Sequence, residues 1–113
     1  MDLLELVRRI VEALESKEGE DTVVLDMRST PIPTSYFVIV TANSKPHMKA
    51  LKESVIEELE KNKVRMLYCD KGEDYDWLLI DAGEIVIHIF TQRGREFYDL
   101  EGLWIMAKRL IGV

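Results

Sequence analysis

The chain has 113 residues, of which 47% are hydrophobic and 32% charged, and a formal net charge of −6. This length and composition are typical of one globular domain and exclude a disordered chain, so we predict a single domain over residues 1–113. The acidic charge opposes contact with phosphate backbones, and no run of Lys and Arg interleaved with aromatic residues offsets it. We therefore expect a basic protein partner and no sequence-specific nucleic-acid binding.

The chain contains one cysteine and two histidines. A single thiol cannot form an intramolecular disulfide, and these residues do not match a zinc motif, so we expect a reducing compartment, no metal and no cofactor. The N-terminal segment carries acidic residues among its apolar ones, unlike a secretory or transit peptide. No apolar run reaches the roughly 18 residues of a membrane helix. We expect a cytoplasmic protein that does not contact membranes.

The first half of the chain alternates between helical and strand patterns. Residues 2–16 have apolar side chains at helical spacing, which predicts an amphipathic helix. Residues 22–27 and 36–41 are β-branched and apolar and are predicted strands. The second is an uninterrupted apolar run, so we expect it to be central and covered on both faces. Ser44 is then expected to cap a second helix, with Pro46 in its first turn.

Two apolar runs, residues 77–80 and 85–90, flank a short polar segment, which predicts a tight β-hairpin. We place its turn at Ala82 and Gly83. The predicted cross-strand pairs are Ile80 with Ile85, Leu79 with Val86, Leu78 with Ile87 and Trp77 with His88. Alternation places aliphatic side chains on one face, namely Leu78, Ile80, Ile85, Ile87 and Ile89. The opposite face carries Trp77, Leu79, Val86, His88 and Phe90.

The remaining segments complete the predicted fold. Residues 64–69 are expected to form a strand before the hairpin, and residues 95–98 a short bridge after it. Asp99 can cap a last helix. Its inward-facing residues would be Leu100, Leu103, Trp104, Ala107, Leu110 and Ile111. The fold class is therefore α/β (α+β), with a mixed sheet of about five strands flanked by helices.

The aromatic face of the hairpin has two possible roles. It is either core beneath a helix or a surface that binds a partner, because Trp, His and Phe together are typical of binding hot spots. Residues 95–101 could border this surface. Alternatively, they form a capped helix start with Phe97 in the core and Arg95 paired to an acid.

Catalysis has weaker support in the sequence. His88 has no Ser, Cys or carboxylate in a recognisable arrangement with it. Asp26 and Asp81 lie near predicted strand ends and could hold magnesium for phosphoryl transfer, but no Gly-rich phosphate loop accompanies them. The acidic segment 70–76 lacks the ligand spacing of a calcium loop. We predict a protein that is not an enzyme, with phosphoryl transfer as the alternative.

Several blocks in this order resemble the ribosomal silencing factor family, also called Iojap-like. They are residues 23–26, 36–39, 44–51, 76–90 and 95–104. The resemblance covers nearly the whole chain. It implies a mixed sheet related to nucleotidyltransferases without their catalytic acids, which agrees with the absence of a recognisable active site in the sequence.

The resemblance also implies a function. Family members bind ribosomal protein L-fourteen on the large ribosomal subunit, block joining of the small subunit and so repress translation when nutrients run short. Large-subunit assembly and a residual nucleotidyltransferase activity are the alternatives. A homodimer of the free protein is a further expectation. The partner-binding residues implied by the resemblance are Trp77, Leu79, His88, Phe90, Arg95, Tyr98 and Asp99.

Two residues depart from the family pattern. Ser35 stands where many members have an acid, and Gly102 stands where an Arg is usual. The first is expected to alter the loop near Pro33. The second is expected to weaken the last helix by up to about 1 kcal/mol and to remove a salt bridge or partner contact.

Overall fold

The computed structural model describes residues 2–71 and 76–110. Its helices are α1 (Leu3–Ser16), α2 (Lys45–Lys61), α3 (Gln92–Tyr98) and α4 (Leu100–Leu103). Its strands are β1 (Glu20–Asp26), β2 (Tyr36–Ala42), β3 (Tyr68–Cys69), β4 (Trp77–Asp81), β5 (Ile85–Thr91) and β6 (Lys108–Leu110). The predicted α/β (α+β) class is confirmed. Among the described residues, no helix is both long and apolar enough to cross a bilayer.

The strands form one six-stranded sheet in the order β3-β4-β5-β2-β1-β6. The pair β2 and β5 is parallel, and the other neighbours are antiparallel. Every residue of β2 is buried, so the prediction of a central strand covered on both faces is confirmed. The sheet exceeds the predicted five strands because the chain returns after α4 and adds β6 to β1.

One sheet face is covered by the two long helices, α1 and α2, and we call it the closed face. Its strand side chains include Val38, Leu78, Ile80 and Ile87, all fully buried. The caps follow the sequence: Asp2 accepts a hydrogen bond from the Glu5 amide, and Ser44 accepts one from the His47 amide. The predicted helices at both places are confirmed.

The opposite face, which we call the open face, is covered by short segments after β5. Its buried strand side chains include Leu25, Phe37, Ile39, Val86 and Phe90. Leu100 of α4 and Ala107 pack onto them. Because α4 has only 4 residues, this cover is much smaller than that of the closed face.

The hairpin has the predicted faces but a different register. Asp81 pairs with Val86, and Trp77 pairs with Phe90 rather than with His88. The Asp81 carboxylate accepts a hydrogen bond from the Gly83 amide at 2.8 Å, and Gly83 has a φ of 85°. The Ala82 amide donates to the Ile85 carbonyl at 2.9 Å, so the two turn residues are Gly83 and Glu84, one residue later than predicted. The register moves by two residues, so each side chain keeps its predicted face.

The prediction of a long last helix is wrong. Asp99 caps it as expected, but α4 ends at Leu103, and Lys108–Leu110 form a strand instead. Glycine at position 102 disfavours helix, and β1 offers an unpaired edge whose hydrogen bonds β6 satisfies. Leu103 is exposed, and the predicted inward position of Ile111 lies outside the described residues.

The structure also differs from the predictions for two short segments. The bridge expected over residues 95–98 is part of α3, which Thr91 caps through a hydrogen bond from the Gly94 amide. The strand expected over residues 64–69 is limited to Tyr68–Cys69, although the Leu67 amide already donates to the Asp81 carbonyl at 2.7 Å.

Candidate docking surface

Trp77 begins β4 and lies half-buried on the open face. Its ring packs against Phe90, with 5.3 Å between ring centroids, and against Tyr98, at 4.8 Å. Phe97 meets the Tyr98 ring edge-on at 5.0 Å. These rings form a continuous series from the buried Phe90 to solvent.

The outer members of this series are exposed. The exposed fraction is 78% for Phe97 and 45% for Tyr98. Leu79 follows Trp77 on the same face of β4 and is half-buried. We define the aromatic surface as Trp77, Leu79, Phe97 and Tyr98. Exposed aromatic residues next to a well-packed core are typical of protein-binding hot spots.

Asp76 fixes the backbone next to Trp77. Its backbone oxygen accepts from the Thr91 amide at 3.0 Å, and its carboxylate accepts from the Thr91 hydroxyl and from Arg93, each at 2.8 Å. The Thr91 hydroxyl first, and then Arg93, lower the pKa of Asp76. Gly94 packs so closely on the Asp76 carbonyl that a Cβ would overlap it. The start of β4 is thereby attached to α3, which carries Phe97 and Tyr98.

The structure corrects the expectation that His88 and Phe90 contact a partner directly. Their exposed fractions are 2% and 0%. Tyr98 packs on Phe90 at 6.2 Å between centroids, and Phe37 lies at 4.4 Å from the His88 ring. The open face is therefore buried core at its centre and is exposed only near Trp77.

Burial also sets the chemistry of His88. Its Nδ1 accepts a hydrogen bond from the Trp77 indole Nε1 at 3.0 Å. Burial among aromatic rings lowers the pKa of His88 to about 3, so the ring is neutral at physiological pH. Its Nε2 has no hydrogen-bond partner among residues 2–71 and 76–110.

Arg95 joins three segments of the chain through hydrogen bonds and is not an exposed residue available to a partner. Its guanidinium donates to Glu101 at 2.7 Å, to the Thr41 hydroxyl at 2.9 Å and to the Asp21 carbonyl at 2.8 Å. The Arg95 hydrogen bond is the largest cause that lowers the pKa of Glu101, and Arg109 also pairs with that carboxylate. The expectation that Arg95 pairs with an acid is confirmed. Its role as a partner contact is unsupported, because all three guanidinium nitrogens already donate within the chain.

Asp99 is exposed, as a contact residue must be, and it also organises the chain. It has a left-handed backbone with φ 42°, and its carboxylate accepts from the Gly102 amide at 3.1 Å. A Cβ at Gly102 would overlap this carboxylate, so the glycine fits the cap that Asp99 forms. The departure at residue 102 is thus matched to local geometry.

The departure at residue 35 has an electrostatic explanation. Ser35 donates through its amide to the Glu84 carbonyl at 3.0 Å, and through its hydroxyl to the Glu84 carboxylate at 3.2 Å. An acid at this position would face the Glu84 carboxylate and be repelled by it. Serine instead attaches the start of β2 to the hairpin loop.

Sequence reasoning missed an exposed apolar segment after α4. The exposed fractions of Leu103, Ile105 and Met106 are 69%, 78% and 88%. Helical spacing had placed Leu103 inward. The signal against that interpretation was Gly102, which interrupts the predicted helix in its first turn. Phe97 was likewise expected in the core as one alternative, and the structure excludes this.

The two acids of the enzyme alternative are far apart. Asp81 pairs with Val86 of β5, which pairs with Phe37 of β2, next to β1 where Asp26 lies. Three strand spacings separate the acids by about 14 Å, too far for one metal ion. Hydrogen bonds from Arg28 lower the pKa of Asp26, and Asp81 accepts from the Gly83 amide. The pair required for phosphoryl transfer is therefore not assembled.

Other candidate residues have structural partners. His47 is half-buried: its Nδ1 accepts from the Asn43 amide at 2.9 Å, and its Nε2 lies 2.7 Å from the Lys17 carbonyl. Burial raises the pKa of the Cys69 thiol, which disfavours the reactive thiolate. Within the described part of the chain, no three His, Cys, Asp or Glu residues are placed to share a metal ion. Glu73 and Asp74 lie outside it.

Comparison with known proteins identifies relatives over nearly the full chain. The family described as "Ribosomal silencing factor during starvation" matches residues 1–111. A ribosomal silencing factor RsfS from Chromobacterium violaceum is 32% identical over 104 residues, which cover 92% of this chain and 85% of that protein. A Mus musculus protein named "Mitochondrial assembly of ribosomal large subunit protein 1" is 32% identical over 100 residues, covering 86% of this chain and 44% of that protein.

A solved structure agrees with the fold. The crystal structure of a Chromobacterium violaceum protein superimposes with a TM-score of 0.88 at 31% sequence identity, covering 100% of this chain and 94% of that one. The family resemblance read from the sequence blocks is confirmed. From the family match, the relatives and the shared fold together, the chain belongs to the ribosomal silencing factor family.

Proposed function

We propose that this protein represses translation by binding the large ribosomal subunit through the aromatic surface and blocking access of the small subunit. The observation that carries the proposal is the exposed aromatic series built on β4, β5 and α3, in a chain related to ribosomal silencing factors. Such a surface needs no reaction to act. It prevents subunit joining by occupying space.

The proposed partner on the large subunit is ribosomal protein L-fourteen. The net charge of −6 favours a basic partner, and two exposed acids, Glu96 and Asp99, flank the aromatic surface. Aromatic contacts would supply most of the affinity, and the acidic rim would increase the rate of association. Binding is therefore expected to weaken moderately as salt concentration rises.

The first test is co-sedimentation of the purified protein with separated large and small subunits, followed by a subunit-joining assay. We expect binding to large subunits alone and fewer joined ribosomes as protein is added. Binding to small subunits, or binding to large subunits without loss of joining, would contradict occlusion.

A matched pair of variants locates the surface. Tyr98→Ala removes a ring of the aromatic surface, whereas Leu4→Ala removes an exposed apolar side chain, 37% exposed, from α1, which covers the closed face. We expect Tyr98→Ala to weaken large-subunit binding about tenfold, and Leu4→Ala to leave it unchanged. Equal effects of the two changes would contradict this placement.

The name of the Mus musculus relative favours large-subunit assembly as a second candidate function. The same surface would serve it, because docking on a large subunit is common to both. Repression requires binding to mature large subunits. Preferential association with immature large subunits, together with their accumulation when the protein is depleted, would favour assembly instead.

A further inference from the structure

His88 lies directly behind the aromatic surface without reaching solvent. It is 2% exposed, and the rings of Phe37, Trp77 and Phe90 surround it at centroid distances of 4.4, 5.8 and 6.4 Å. Among the described residues, the one hydrogen bond of its side chain joins Nδ1 to the Trp77 indole Nε1 at 3.0 Å. The two residues are diagonal neighbours on β4 and β5, since Trp77 pairs with Phe90.

This hydrogen bond fixes the protonation of His88. An indole N–H only donates, so Nδ1 must carry a lone pair, and the hydrogen of the neutral ring resides on Nε2. That nitrogen is buried and has no partner within residues 2–71 and 76–110. A buried donor without an acceptor reduces stability, so a histidine is a poor choice for this position on packing grounds alone.

A leucine or phenylalanine would occupy the same apolar surroundings without an unpaired polar atom. What histidine adds is an acceptor aimed at Trp77. The Trp77 indole is half-buried at the start of β4 and packs against Phe90 and Tyr98, but these ring contacts offer its Nε1–H no acceptor. A hydrogen bond at Nε1 selects one orientation of the ring before any partner arrives, and preorganisation of this kind increases affinity.

We infer that His88 is a positioning residue: through Nδ1 it holds the Trp77 indole in the orientation that the docking surface presents to its partner. The role in binding rests on the proposed function, whereas the hydrogen bond and its tautomer belong to the free protein. The two can therefore be tested separately.

The first measurement is nitrogen NMR on the free, unaltered chain. We expect an unprotonated His88 Nδ1, a protonated Nε2, a scalar coupling between Trp77 Nε1 and His88 Nδ1, and slow solvent exchange of the Trp77 indole proton. A protonated Nδ1 or a freely exchanging indole proton would overturn the inference, whether or not the protein binds ribosomes.

The second measurement compares His88→Leu with His88→Asn, whose amide oxygen can take the place of Nδ1. We expect His88→Leu to keep its fold and thermal stability but to bind large subunits about tenfold more weakly, with a rapidly exchanging Trp77 indole proton. His88→Asn should restore most of the affinity and slow that exchange again. A purely structural role predicts instead that affinity follows stability in both variants.

The matched control is His47→Leu, which removes a half-buried histidine that ties α2 to the end of α1. We expect no change in the Trp77 indole signal or in large-subunit affinity. Wild-type affinity in His88→Leu would overturn the positioning role. Absence of binding by the unaltered chain would instead refute the proposed function, and the NMR result would still decide the orientation of Trp77.

Discussion

The two faces of the sheet are covered in different ways. On the closed face, α1 and α2, of 14 and 17 residues, bury an aliphatic layer completely. On the open face, α4 and the segment after it cover only the centre, and the aromatic surface continues from this core into solvent. One sheet therefore has a face specialised for stability and a face that remains available for contact.

The difference follows from side-chain chemistry. Aliphatic side chains stabilise the fold only when they are removed from water, so the aliphatic layer requires a complete cover. Tyr98 has a hydroxyl that can stay hydrated while its ring packs, and the indole N–H of Trp77 is satisfied by His88, so both rings tolerate a partial cover. A partner that binds the open face would remove from water the apolar area that the chain itself leaves exposed, and this burial would stabilise the complex.

The largest expected effect concerns stability of the closed face. Leu51 of α2 is fully buried there, and Leu51→Ala should lower the free energy of unfolding by about 2–5 kcal/mol. Leu100→Ala on the open face removes the same atoms next to short segments that can collapse into the space, so its cost should be smaller. Denaturant titration of both variants measures this, and equal losses would mean that the two faces are equally rigid.

The second effect is the pH dependence that His88 contributes. Because its pKa is about 3 in the folded chain, the unfolded chain binds more protons between that value and its ordinary pKa of about 6.5. This contribution to stability is complete above about pH 6.5 and is lost at up to about 1.4 kcal/mol per pH unit as pH falls towards 3.

The measurement is the unfolding free energy of the unaltered chain and of His88→Leu between about pH 6.5 and 4.5, above the ordinary range of carboxyl groups. Subtracting one curve from the other removes the groups that both chains share. We expect His88→Leu to match the unaltered chain near pH 6.5 and to become the more stable of the two at the acidic end, because only the unaltered chain loses the His88 contribution. Parallel curves would contradict a buried, neutral His88.

The third effect tests how the open face is anchored. Asp99→Ala removes the cap of α4 from a residue with a left-handed backbone and should lower stability by about 1–2 kcal/mol. Asp99→Asn keeps both the cap and the tolerance of that backbone, so its effect should stay within about 0.5 kcal/mol. If thermal unfolding shows the alanine variant to be as stable as the asparagine variant, α4 does not depend on this cap.

The smallest expected effect on stability is that of Phe97→Ala. Its side chain is 78% exposed, so the change should alter the free energy of unfolding by less than about 0.5 kcal/mol. Its affinity for large subunits should nevertheless fall several-fold, because Phe97 forms the outer end of the aromatic surface. A loss of stability without a loss of affinity would assign Phe97 to the fold instead.

Much of the fold follows from local sequence patterns. Ser44 and Pro46 mark the start of α2, and alternation in residues 77–90 places each hairpin side chain on its correct face. These features depend on neighbours within a few residues, and their periodicity is strong. The exact hairpin register was not predictable, because the Asp81 side chain binds the Gly83 amide and the two-residue turn lies at Gly83 and Glu84 rather than at Ala82 and Gly83.

The candidate site was predicted only in part. Periodicity identifies which side chains share a face but not how completely later segments cover it, so His88 and Phe90 were expected at the surface. The exposure of Phe97 and Met106 depends on where α4 ends and on the pairing of β6 with β1, a contact that is distant in sequence. Tertiary pairing of this kind overrides helical spacing.

The most direct test of the central claim is a photo-cross-link from the open face. A photoreactive phenylalanine analogue replaces Phe97 in one sample and Leu4, exposed on α1 over the closed face, in another. Each sample is irradiated with large subunits, and the attached protein is identified by mass spectrometry. We predict cross-linking to ribosomal protein L-fourteen from position 97 and none from position 4. Cross-linking from position 4 alone, or from position 97 only to other components, would contradict the account.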